Sequence, residues 1–207
     1  FREVKNLFDP KGLLNPGKGV DSPPMTESLR QGVGYQPKEV ETELDWGREG
    51  GFLTAVELCN GAGVCRKTER GTMCPSFMVT GDEEHSTRGR SNLLRAILTG
   101  RLPVEELHGP RLQQALDLCL ECKACKSECP SGVDVAKMKF EVTSGYYKTH
   151  RVPWRVQAFA RADLMSRFGS ALAPVSNWIL GSPLKPLVQH LVGLAPERDF
   201  PTFARQN

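Results

Sequence analysis

The sequence predicts a mainly α-helical protein built around metal-binding loops. Three observations carry this. Apolar residues recur at helical spacing beside the cysteine groups, as in Leu112, Ala115, Leu116 and Cys119. Residues suited to starting or stopping helices, Ser86, Gly100, Pro110 and Asp134, punctuate these runs. All seven cysteines of the 207-residue chain fall between positions 59 and 129, and neither flank holds one.

Bulk properties narrow the class. A formal net charge of +3 is too small to point to nucleic acid. The most apolar region, Ala171 to Ala195, is broken by Pro174, Asn177, Pro183, Lys185 and Pro186, so no spanning helix is expected. The opening Phe-Arg-Glu-Val has no apolar secretory core and no initiator Met, which makes a piece of a longer protein the expectation. An odd, clustered set of cysteines favours a metal site in a reducing, cytoplasmic compartment over a disulfide framework.

Taken in order, Val4, Leu7 and Phe8 share one helical face, Pro10 ends that helix, and Asn15-Pro16-Gly17 is turn chemistry. Residues 21–50, with Pro23-Pro24, Gly32, Gly34 and Pro37, read as a linker that adds a short strand or two, such as Glu43 to Trp46. A short helix from Gly50 carries Phe52, Leu53, Val56 and Leu58 toward Cys59. Ser86 caps a helix on which Arg90, Leu94 and Ile97 stack and after which Gly100 stands. Arg88 and Arg90 either lie near a metal centre or form a solvated basic face. Pro110 opens the next helix, and Asp134 or Ser131 caps one striped by Val135, Met138, Val142 and Tyr146. A helix over 153–168 with Trp154, Ala158, Ala162 and Met165 on one side follows, then pieces near Val175–Leu180 and Leu184–Val192.

The cysteines carry the chemistry. Cys119, Cys122, Cys125 and Cys129-Pro130 stand at C-x2-C-x2-C-x3-C-P, the spacing that holds cubane iron–sulfur clusters. In two-cluster proteins the fourth cysteine of this run ligates the other cluster. A second group with its own Cys-Pro is therefore required, and Cys59, Cys65 and Cys74-Pro75 supply it. Cross-ligation assigns Cys74, Cys119, Cys122 and Cys125 to a 4Fe–4S cluster. Cys59, Cys65 and Cys129 are left for a second cluster. Ala62 stands where a further ligand belongs, so this second site is a 3Fe–4S cluster, a 4Fe–4S cluster with a non-cysteine ligand such as His85, or empty. Structural zinc, which takes four ligands commonly in separated pairs, fits this pattern poorly. His108, His150 and His190 have no partners in the sequence and receive no role.

Two resemblances add to this reading. The three-ligand group resembles the 3Fe–4S site of succinate dehydrogenase and fumarate reductase iron–sulfur subunits. With helices flanking both groups, residues 55–140 resemble the alpha-helical ferredoxin domain of those subunits and of glycolate oxidase and glycerol-3-phosphate dehydrogenase iron–sulfur subunits. The stretch Lys5-x-x-Phe8-Asp9-Pro10-x-Gly12-Leu13-Leu14-Asn15-Pro16-Gly17-Lys18 resembles the C-terminal end of FAD-linked oxidases of the vanillyl-alcohol oxidase type. That family includes D-lactate, glycolate and D-2-hydroxyglutarate dehydrogenases.

The resemblance implies four parts: residues 1–20 as the end of a flavin domain, 21–50 as linker, 51–150 as the ferredoxin domain, and 151–207 as a helical extension. It implies FAD in an upstream domain rather than in this chain, no catalytic residue here, and electrons passing from FAD through the clusters to a quinone or redox protein. A location at or near the inner membrane is compatible with that role. The competing expectations are a non-catalytic electron-transfer or scaffold subunit and a cluster-sensing regulator. The regulator would carry a DNA-binding element, and none is visible.

Overall fold

The computed structural model describes residues 1–29 and 31–204. The chain divides into two compact units, Phe1–Tyr146 and Tyr147–Asn207. Among the described residues the regular structure is helical throughout, with eleven α-helices and no strand. The Glu43 to Trp46 segment is thus not a strand. Its backbone N–H groups go to a side chain instead: Glu43 N (2.7 Å) and Leu44 N (3.0 Å) both donate to the Glu141 carboxylate.

In the first unit, α1 (Arg2–Phe8) is followed by a loop that Asp9 organises. The Asp9 carboxylate accepts from Lys5 Nζ and from the backbone N–H groups of Leu13 and Leu14, each at 2.8 Å. Val4, Leu7 and Phe8 stay exposed on α1. Further on, Lys38 N donates to Leu98 O, and Trp46 is buried with its Nε1 donating to Glu141 at 3.0 Å.

The core is made by α2 (Phe52–Glu57), α4 (Thr87–Leu98), α5 (Pro110–Asp117) and α7 (Val135–Thr149). Short α3 (Pro75–Thr80) and α6 (Ala124–Glu128) each adjoin a Cys-Pro. Local chemistry sets the boundaries. The Ser86 hydroxyl accepts from Gly89 N at 2.9 Å, Pro110 is the first residue of α5, and Asp134 accepts from Lys137 N at 3.0 Å. Gly100, just past α4, has φ of +74°, a left-handed conformation that suits glycine. The helix from Gly50 differs in one respect: Phe52, Ala55 and Val56 are buried, whereas Leu58 ends the helix facing solvent.

Helix α4 lies against both α2 and α5. Its inward face buries Arg90, Leu94, Ile97 and Leu98 almost completely, together with Val56, Leu112, Leu116, Met138 and Val142. Arg90 is therefore no part of a solvated basic face.

The second unit holds α8 (Trp154–Ala160), α9 (Ala162–Ala171), α10 (Ala173–Gly181) and α11 (Lys185–Val192). The single helix expected over 153–168 is broken at Arg161, whose φ/ψ of −110°/30° leaves the helical region. Within this unit Arg155 donates to the carbonyls of His190 and Leu191, and Asn177 pairs with the Phe203 backbone in both directions. Among the described residues no helix is long and apolar enough to cross a membrane.

Candidate metal centre

Proline shapes both Cys-Pro corners. The residue before proline is driven to extended backbone, and Cys74 (φ/ψ −104°/119°) and Cys129 (−74°/125°) are both extended. Their places differ. Cys74 caps the start of α3, with Pro75 as its first residue, whereas Cys129 closes the end of α6.

The two cysteine loops share a backbone pattern. In the second, Glu121 (φ +55°) and Lys123 (φ +58°) flank Cys122 in left-handed conformations. In the first, Gly61 (φ +84°) and Gly63 (φ +76°) flank Ala62. Gly63 (ψ 10°) and Lys123 (ψ 9°) each cap the start of the next helical turn. Ala62 thus occupies the loop position that Cys122 occupies in the other, and both are exposed. Glycine supplies the left-handed residues of one loop without penalty. The other uses two non-glycine residues there, each held at a cost of about 1 kcal/mol or more.

The cysteines line two small cavities of similar size, about 20 Å³ each. Cys119, Cys122 and Cys125 line the first, and Cys74 joins them from the other group. Cys59 and Cys65 line the second, and Cys129 joins them, with Asn60 and Ala62 at its rim. Met73 and Thr87, both buried, contribute to the walls of both. The seven thiols are all free. Among the described residues no three His, Cys, Asp or Glu side chains converge closely enough for a single metal ion. His85 does not line the three-cysteine cavity; its ring meets Thr80 Oγ1 at 3.0 Å.

Side chains distant in sequence hold these walls. Glu128, one residue before Cys129, accepts from Thr72 N (2.8 Å), Met73 N (3.3 Å) and Lys67 Nζ (2.9 Å). This clamp draws the strand of chain leading to Cys74 alongside Cys129. The Lys67 ammonium, helped by those N–H groups, lowers the Glu128 carboxyl to about 2. Arg95, buried on α4, donates to Cys59 O at 2.7 Å and fixes the start of the first loop. Lys139 donates to Cys119 O at 2.9 Å and pairs with Glu121 at 2.9 Å. Arg88 sends its backbone N–H to Cys65 Sγ at 3.4 Å while its guanidinium pairs with Glu83 at 2.6 Å. The sequence offered Arg88 and Arg90 as basic residues either near a metal centre or on a solvated face. Arg95, Glu128 and Lys139 carry no local signal, because the groups they hold lie in other segments of the chain.

Burial pushes the thiols of Cys65, Cys119 and Cys125 above their ordinary range. At Cys119 the Glu121 N–H, Arg90 and Lys139 pull the other way. Forming thiolates here needs a cationic partner, and metal binding releases the protons. The donor set fits an anionic iron–sulfur cluster. All the candidate ligands are sulfur, backbone N–H groups point at them, and the buried Arg90 Nη2 in the four-cysteine wall has no partner of its own.

Comparison with known proteins agrees with this chemistry. Residues 55–133 match the family model of the 4Fe-4S dicluster domain. They form an iron–sulfur dicluster electron-transfer domain. The chain as a whole is homologous to part of D-2-hydroxyglutarate dehydrogenase and is related to glycolate oxidase iron–sulfur subunits. It is 26% identical, over 100% of its length, to the D-2-hydroxyglutarate dehydrogenase of Escherichia coli (strain K12), of which it covers 24%. The protein of that name from Pseudomonas putida (strain KT2440) is 25% identical over 100% of the chain, again with 24% covered. Over 49% of the chain, the probable glycolate oxidase iron-sulfur subunit of Bacillus subtilis (strain 168) is 35% identical, with 20% of that protein covered. The chain thus spans about a quarter of the length of these dehydrogenases. No solved structure matches it.

Proposed function

We propose that the chain is the electron-transfer segment of a flavin-dependent 2-hydroxy-acid dehydrogenase, carrying electrons from FAD to an external acceptor. The observation that supports this most is the pair of neighbouring cysteine-lined cavities, each receiving the Cys-Pro cysteine of the opposite group. In this reading Cys74, Cys119, Cys122 and Cys125 hold a 4Fe–4S cluster. Cys59, Cys65 and Cys129 hold a 3Fe–4S cluster, because Ala62 offers no donor. The clusters, when bound, supply one-electron transfer; the organic chemistry belongs to the flavin.

The chain's own residues position and insulate. Met73 and Thr87, both buried, wall both cavities, and Leu94, Leu116 and Met138 are buried in the surrounding core. Arg95, Glu128 and Lys139 hold the loops at fixed spacing. Residues 1–20 belong to the end of the flavin domain, 21–50 connect it to the ferredoxin domain over 51–150, and 151–207 extend beyond it. The acceptor is a quinone or a redox protein, met in the cytoplasm or at the inner-membrane surface.

The test is anaerobic mixing of the full-length protein with a D-2-hydroxy acid. Both the flavin and the cluster absorption bleach if the reading is right. Flavin reduction with clusters that stay oxidised refutes it. The relation to separate glycolate oxidase iron–sulfur subunits supports a second reading, a non-catalytic subunit that receives electrons from a partner flavoprotein. A reading frame with no flavin domain upstream of Phe1 decides for it.

A further inference from the structure

Among the described residues of the first unit, Arg90 is the one charged side chain fully buried in the core. Its relative exposure is 0%. Its Nε donates to Ala115 O at 3.1 Å, and Nη1 donates to His85 O at 2.7 Å and Ser76 Oγ at 3.1 Å, with Cys74 Sγ at 3.6 Å. Every one of these partners except the Cys74 sulfur is a neutral dipole. Nη2 is buried with no partner. Among the described residues no carboxylate lies within ion-pair distance of it: nearby Glu83 pairs with Arg66 and Arg88, and Glu84 with Arg111. A guanidinium cannot shed its proton to escape this. Glu84 acts on Arg90 only from beyond ion-pair distance. A buried charge with no adjacent counter-charge is strongly unfavourable, and the cavity whose wall Arg90 forms is where a compensating anion fits.

We infer that Arg90 is the counter-cation of the four-cysteine centre, with Nη2–H donating into the cavity and its charge raising the reduction potential of that centre alone. The inference rests on the cluster reading above. Reduction adds one electron to an already anionic centre, and a fixed adjacent cation favours the more negative state. The three-cysteine centre has no equivalent. The cation at its rim, Arg88, is partly exposed to screening solvent and pairs with Glu83 at 2.6 Å, a carboxylate it shares with Arg66. Lysine at position 90 would keep the charge but not the fork that reaches Ala115, Ser76 and the cavity together. Arg90 is a positioning and tuning residue in this scheme, and the cysteines remain the ligands.

The experiment is an EPR-monitored redox titration of the anaerobically reconstituted full chain, with iron and sulfide counted in each sample. Wild type is compared with Arg90→Met, Arg90→Gln, Arg90→Lys and Arg88→Met. Removing the charge at 90 is expected to shift the oxidised/reduced equilibrium of the four-cysteine centre about tenfold toward oxidised, the scale of one charge-assisted hydrogen bond to a buried ion. For a one-electron couple that is a potential lower by about 59 mV. Arg90→Lys should recover most of it, and neither the other centre nor the Arg88→Met protein should move. An unmoved potential in an iron-replete Arg90→Met or Arg90→Gln protein overturns the inference, as does an equal shift at both centres. If the neutral variants take up no four-iron centre, iron uptake by Arg90→Lys supports the charge role, and its failure there overturns it. Wild type that binds no iron or sulfide would instead refute the cluster reading.

Discussion

The missing thiol at Ala62 can be restored. The structure sets the cost and the outcome. Ala62 sits between Gly61 (φ +84°) and Gly63 (φ +76°), as Cys122 sits between Glu121 (φ +55°) and Lys123 (φ +58°). Ala62 itself is not left-handed, and it already lines the three-cysteine cavity from an exposed position. Ala62→Cys therefore adds one Sγ with no backbone change and no buried volume to displace. Its effect on folding stability should stay within about 0.5 kcal/mol. The chemical effect is larger. Iron should rise from about seven to about eight atoms per chain, as a three-iron centre becomes a four-iron one. The assay is iron and sulfide analysis with EPR of the oxidised state, where a three-iron centre is paramagnetic and a four-iron ferredoxin-type centre is not. A folded variant that keeps about seven irons and its oxidised-state signal would show that the two loops do not correspond. Eight irons in the wild type would refute the three-iron assignment.

Two further outcomes test the scaffold. Glu141 takes three donors, Glu43 N, Leu44 N and the buried Trp46 Nε1, so Glu141→Ala should destabilise by about 2–4 kcal/mol, mainly by stranding the indole N–H. Denaturant unfolding followed by Trp fluorescence measures it, and a loss below about 0.5 kcal/mol, the range of an ordinary surface substitution, contradicts the clamp. The Glu128 carboxyl is lowered from 4.5 to about 2, chiefly by Lys67. A depressed carboxyl stabilises the fold above its unfolded value and loses that contribution as pH falls through its folded one. The protection of the Thr72 amide, its exchange rate relative to the intrinsic rate at each pH, should therefore stay high at pH 5 and fall between about 4.5 and about 2 in the metal-free chain. Glu128→Gln should remove that pH step, and a step that survives the substitution refutes the assignment.

What the sequence disclosed and what it hid divide along the range of the interaction. Ser86, Pro110, Asp134 and Gly100 act on backbone within a few residues of themselves, so each helix boundary they mark was readable. The mainly helical class followed from those marks and the 3.6-residue apolar period. The two Cys-Pro corners were visible for the same reason, since proline restricts only its neighbour. Trp46 and Glu43 gave a strand-like pattern, yet their donors satisfy Glu141, nearly a hundred positions away. Arg161 breaks a run whose apolar period continues through it, because neither propensity nor pattern marks that position. Arg90 showed most plainly where the limit lay. Its helical phase with Leu94 and Ile97 was readable, but a solvated basic face stayed open, and only the fold reveals a buried guanidinium with an idle N–H against the cysteines.

The central claim is that the two cysteine groups exchange their Cys-Pro ligands, and one substitution tests it. In the anaerobically reconstituted full chain, Cys74→Ala should abolish the four-iron centre of the 119–125 loop, which is forty-five residues downstream in sequence but shares a cavity with Cys74. The three-iron signal should persist. If instead the four-iron centre survives and the signal of the Cys59–Cys65 loop is lost, each group holds its own cluster and the exchange does not occur.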